Sequence, residues 1–178
     1  DEVEEALRRL EDLLRRNVEE AKEVVKDSER TLREDAERVK RVVEKSKRTL
    51  EAIEKRDLRR ELIKEVLDKD REDVDRVLKD SKRTLEEDKE RVKRALERNK
   101  KSLEDISRRV EDVIRKVTDE EAVRRIEEVL KKIREDSKRT IDELRRVLER
   151  TEEETRRLIK ELEDVLRRTE EEVKRRLK

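Results

Sequence analysis

Sixteen side chains carry a neutral hydroxyl or amide: six Ser, eight Thr and two Asn. They stand among 55 Lys and Arg and 54 Asp and Glu, with neither His nor Cys. A serine beside a lysine can act as nucleophile and base. Here every Ser falls in a repeated slot of one apolar pattern and lysines lie everywhere on the outside, so the pairing carries no specific signal. Without imidazole or thiol the chain lacks the usual neutral-pH general base and the ligands of a soft metal site. A di-iron carboxylate site in a helical bundle needs Glu-x-x-His, and a phosphate loop needs Gly; neither residue is present. Asp68-Lys69-Asp70-Arg71-Glu72 has the acidic alternation of a calcium loop, but it lacks the glycine and carries Lys79 at the twelfth position. It reads as a solvated helix face. The basic stretch Arg38, Lys40, Arg41, Lys45, Lys47 and Arg48 has no aromatic side chain for base stacking and has acids close by, so it too reads as a solvated face.

Composition narrows the field further. Charged residues make up 61% of 178 residues and the formal net charge is +1. That balance gives no overall attraction to nucleic acid or an anionic membrane. No apolar run approaches the ~18 residues of a membrane span, and no signal-peptide pattern is seen. The expectation is a soluble chain compatible with cytoplasmic expression, with no cofactor, no metal, no nucleic-acid or membrane partner and no enzymatic role. Low hydrophobicity alone would suggest disorder; the placement of the apolar residues argues against it.

Those residues are only Ala, Val, Ile and Leu. In the first third they run Val3, Leu7, Leu10, Leu14, Val18, Ala21 and Val25, the steps of three and four of an amphipathic helix. Leu14, Leu32 and Leu50 are 18 residues apart, as are Val74, Val92 and Val110, and Leu130, Leu148 and Leu166. Eighteen residues are five turns at 3.6 residues each, so the stripe does not drift around the helix. Seven- and eleven-residue repeats demand left- and right-handed supercoils; eighteen predicts long, nearly untwisted helices. Pairs such as Glu4–Arg8, Glu11–Arg15, Glu34–Arg38 and Glu51–Lys55 add about 0.2–0.5 kcal/mol each.

With no Gly or Pro to mark turns, the phase of the stripe does so. It jumps by roughly 100° near residues 54–62 and by roughly 170° near 117–122. The second break carries the capping box Thr118-Asp119-Glu120-Glu121, with Thr118 as the cap. At the first, Asp57 is the N-cap candidate, after Lys55 and Arg56 and ahead of Arg59 and Arg60, which oppose the helix dipole. The stripe also thins at Asp68–Asp73; a turn at 56–57 is preferred because it yields three nearly equal helices. The predicted fold is therefore all-α: an antiparallel up-down-up three-helix bundle forming a single domain over 1–178, with helices at about 2–55, 58–116 and 119–177. Each helix would be roughly 80–90 Å long.

Apart from Thr118 and Ser107, the neutral polar residues lie on the apolar stripe, and the outer surface is almost purely charged. Across the first turn, facing positions should sum to about 113, and across the second to about 236. This brings Ser28, Thr31, Ser81, Thr84, Thr151 and Thr155 to one level. Asn17, Asn99 and Ser137 meet at a second, with Ser102 and Thr140 one turn away. Ser46, Thr49 and Thr169 form a third, with Asp70 alongside. A buried hydroxyl without a partner costs about 1–3 kcal/mol, so these fourteen residues are read as a structural polar core of interhelical hydrogen-bond networks. The alternative is that each Ser or Thr bonds the carbonyl four residues earlier in its own helix.

The 18-residue repeat, phrases such as Asp80-Ser81-Lys82-Arg83-Thr84-Leu85 and Asp136-Ser137-Lys138-Arg139-Thr140-Ile141, and the Val117-Thr118-Asp119-Glu120-Glu121 turn resemble the family of computationally designed, parametric helical bundles, in particular long, straight three-helix bundles. The absence of Gly at the turns departs from that pattern. The resemblance implies high thermal stability, no evolved substrate or ligand, and no functional residues to carry over. The leading expectation is a monomeric rod whose purpose is its own fold; the alternative is a coiled-coil module that self-associates into a dimer or trimer.

Overall fold

A computed structural model describes residues 2–55 and 59–178. It has three helices: α1 (Glu2–Lys55), α2 (Arg60–Lys116) and α3 (Glu120–Arg176). Strong helix formers occupy nearly every outward position, and each helix turns one apolar stripe inward. The chain forms two compact units, each built from all three helices: residues 1–28 with 89–148, and residues 29–88 with 149–178.

In the second unit the chain direction follows from who meets whom. Asp35 and Ser46 on α1 bond Ser81 and Asp70 on α2, so α2 runs back as α1 runs forward. Arg71 and Lys82 on α2 pair with Glu170 and Glu163 on α3, again antiparallel. Lys47 pairs with Glu161, so α3 returns parallel to α1. This is the up-down-up order. Val39, Val43, Val74 and Val77 from α1 and α2 meet the longer Leu162 and Leu166 of α3 in one buried cluster, so that short side chains face long ones. Ile53, Ile63, Leu67 and Val173 close the end of the unit. Each such fully buried side chain contributes roughly 1.5–3 kcal/mol. In the first unit the core is Leu14, Ile106, Val110 and Ile126.

The turns show how helices end without glycine. At the second, Val117 N–H donates back to Ile114 O at 3.2 Å, tightening the last turn of α2. The N-cap is Asp119, one residue beyond the expected Thr118. Its carboxylate accepts the Glu121 N–H at 3.1 Å, and its carbonyl accepts the Val123 N–H at 3.1 Å. An acid there also meets the positive end of the helix dipole. At the first turn Arg56 and the expected cap Asp57 lie outside the described residues. Helix α2 begins at Arg60 rather than about 58. Arg60 does not simply oppose the dipole: its guanidinium donates to the Leu177 carbonyl at 3.0 Å, at the end of α3. Reciprocally, Arg176 donates to the Glu54 carbonyl near the end of α1. Arginines from neighbouring helices thus satisfy terminal carbonyls that a glycine cap often serves.

Candidate functional site

The groups with chemical potential are the polar side chains that the stripe carries inward. A polar residue set three or four positions from apolar neighbours on both sides shares their phase and must enter the interior with them. Asn17 lies between Leu14 and Ala21, Ser46 between Val43 and Leu50, and Ser81 between Val77 and Leu85. Asn17, Ser28, Ser46, Ser81, Asn99, Ser137, Thr151, Thr155 and Thr169 are buried. Thr31, Thr49, Thr84 and Thr140 are half-buried. Ser102 is exposed, contrary to its assignment to the core. It sits roughly 60° from the line of Asn99, Ile106 and Val110, and that flank of α2 faces solvent.

Bonding within this set divides by residue type. Ser46 donates to the Asp70 carboxylate at 3.0 Å, and Ser81 to the Asp35 carboxylate at 2.6 Å, both between α1 and α2. Asn17 and Asn99 form a reciprocal pair, each side-chain amide donating to the other's backbone carbonyl at 3.0 and 2.9 Å. Five of the threonines turn back on their own helices. Thr49, Thr84, Thr140, Thr155 and Thr169 donate to the carbonyls of Lys45, Asp80, Asp136, Thr151 and Val165 at 2.8–3.2 Å. Ser107 also back-bonds, to Leu103 O at 2.8 Å, and accepts from Arg134. Of the six hydroxyls expected around Ser81, Ser81 itself thus bonds Asp35, and Thr84 and Thr155 bond their own helices. The Ser28 hydroxyl, although fully buried, has no hydrogen-bond partner among the described residues.

Two physical reasons account for the difference. Helix α2 starts later than expected, so Ser81 meets Asp35, one turn beyond Thr31. Asp35 and Asp88 were also hidden by their charge, because acids elsewhere in this sequence mark the surface; Asp70 was set beside the third level. Their phase is the signal that could have found them: Asp70 follows Leu67 by three and precedes Val74 by four, and Asp88 repeats this between Leu85 and Val92, 18 residues on. Asp35, Asp70, Asp88 and Glu172 are all buried. Glu172 is held by Arg175 and, at 3.2 Å, by Arg176 on its own helix.

Burial pushes the Asp70 carboxyl above the ordinary value, and the like charge of Asp73 adds to this; the Ser46 hydroxyl and Lys45 oppose it. Lys45 is itself engaged with Asp73 at 3.1 Å. On the surface, Glu161 raises Lys47 through a 2.7 Å hydrogen bond, while across the 2.6 Å pair Lys55 lowers Glu51 and Glu51 raises Lys55. Arg38, expected to pair with Glu34, instead reaches across to Asp80 at 2.8 Å.

The first unit carries two surface grooves beside the asparagine layer. One, of 480 Å³, is lined by Asn17, Ala21, Val24, Ala95, Asn99 and Ser102. The other, of 410 Å³, is lined by Leu14, Val18, Val129, Ile133, Ser137 and Thr140 with charged neighbours. The asparagine amides beside the first groove are committed to each other's carbonyls. Among the described residues no group of three or more acids is placed to hold a metal ion, and no helix is long and apolar enough to cross a membrane.

No protein-family model and no curated protein matches the sequence. A solved structure described as a computationally designed three helix bundle matches with a TM-score of 0.61 at 16% identity, covering 99% of this chain and 94% of that one. At such identity the likeness is one of fold.

Proposed function

We propose that this chain is a designed structural scaffold, a monomeric helical bundle with no enzymatic activity, whose interior polar groups serve to specify which helices pair and at what height. The carrying observation is where those groups spend their bonds. Ser46, Ser81, Asn17 and Asn99 bond a residue of the other helix. A slip of one turn would leave a buried carboxylate or amide unpaired, at a cost of about 1–3 kcal/mol per group. The solved bundle of similar fold is described as a computational design, which supports the same reading.

The test combines circular dichroism melting with sedimentation equilibrium over a concentration series. A scaffold of this kind keeps its helical signal well above about 60 °C, the mesophile range, at a constant mass of 21.8 kDa. A cooperative melt below that temperature counts against the reading. A mass that rises with concentration transfers the chain to the alternative class, a self-associating module whose polar pairs choose its partner.

A further inference from the structure

The three helices of the first unit are not held alike. Between α1 and α2 the Asn17–Asn99 pair supplies two buried interhelical hydrogen bonds, with Leu14, Ala21 and Val25 buried on one side and Val92, Ala95, Ile106 and Val110 on the other. Helix α3 makes a weaker claim. Over Glu120–Leu148 its buried apolar side chains are Ile126 and Leu148. Val123, Val129, Leu130, Ile133, Ile141, Leu144 and Val147 are only half-buried. Its interior Thr140 bonds Asp136 O in its own helix, so opening does not break that bond.

We propose that the Glu120–Leu148 segment of α3 is a strap: it opens from α1 and α2 while those two helices stay paired through the asparagine layer. Local opening follows the least buried element whose departure leaves the fewest polar groups unpaired. Removing α3 exposes apolar surface that is mostly half-buried and breaks the exposed bond from Arg134 to Ser107, whose groups water can satisfy. Separating α1 from α2 exposes better-buried surface and also orphans two amides and two carbonyls. Once open, the strap leaves a groove floored by Leu14, Ile106 and Val110.

Native-state hydrogen exchange on the full chain, read by mass spectrometry in low denaturant, tests this. The expected result is exchange over residues 120–148 at least about tenfold faster than over 10–28 and 92–114. Equal or slower exchange in 120–148 overturns the proposal. Asn17→Ala gives a second readout, because it removes the side-chain donor to the Asn99 carbonyl, one of the two α1–α2 bonds, without touching α3. Residues 10–28 should then approach the exchange rate of the strap while 120–148 changes less. If Asn17→Ala speeds α3 as much as α1, the three helices open as one and the strap does not exist.

Discussion

Replacing Ser46 by alanine removes a hydroxyl that donates to the Asp70 carboxylate at 3.0 Å, and leaves the carboxylate in place at 7% exposure. A hydrogen bond to a charged group contributes about 1.5–3 kcal/mol. Alanine is a better helix former than serine by about 0.5 kcal/mol. The net cost at neutral pH is therefore about 1–2.5 kcal/mol, or a fall in Tm of about 2–10 °C for a chain of this size. Guanidinium unfolding followed by circular dichroism measures it, with Asp70→Ala and the double variant completing a cycle. The pair's coupling should be about 1–2 kcal/mol at neutral pH. The sign of the pH dependence follows from Asp70, whose folded carboxyl is raised chiefly by burial. With the folded value above the unfolded one, its contribution is fully favourable below the unfolded value and is lost as pH rises through the folded one. The ionised form is thus the one that most needs Ser46, and the penalty of Ser46→Ala should shrink on acidification. Additive single variants, within about 0.3 kcal/mol, or a penalty that grows in acid, would refute the assignment of this hydroxyl to the carboxylate.

Asp70→Asn keeps an acceptor for Ser46 but removes the desolvated charge; it should stabilise the protein at neutral pH, with the gain fading as the carboxylate protonates in acid, as denaturant midpoints across pH will show. Thr155→Val and Thr169→Val discard hydroxyls bonded only within α3, so each should change stability by no more than about 0.5 kcal/mol; losses of 1–3 kcal/mol would instead reveal an interhelical network. Asn17→Ala should cost about 1–3 kcal/mol in chemical denaturation because the buried Asn99 carbonyl loses its side-chain donor, while the Asn99 amide keeps the backbone carbonyl of residue 17. Arg60→Ala should leave global stability within about 1 kcal/mol, since the bond is exposed, yet speed amide exchange in the last turn of α3, where the Leu177 carbonyl loses its donor.

Much of the architecture was legible along the chain. Three helices, a turn at 117–119 and the inward phase of the polar residues are consequences of local spacing. An 18-residue pattern of Leu and Val leaves one stable way to turn each helix, because burying that stripe is the only large favourable term available to so charged a sequence. Residue type even carried part of the bonding: threonine in a helix has its hydroxyl within reach of the carbonyl four residues back, and here it takes that acceptor.

What lay beyond the one-dimensional pattern was the choice of partners between helices. Whether Ser81 meets Thr31 or Asp35 depends on where α2 starts, and a shift of a few residues there displaces every facing pair by about a turn. Residue type alone also could not separate the buried Asp35, Asp70 and Asp88 from dozens of surface acids, because a carboxylate's ionic cost depends on the solvent that neighbouring helices exclude. Local propensity and periodicity decide which face of each helix goes inside; only the docking of the helices decides what a buried oxygen finds there, since hydrogen bonds act over a few ångströms and the register that brings two groups within them is set by the packing of the whole stripe.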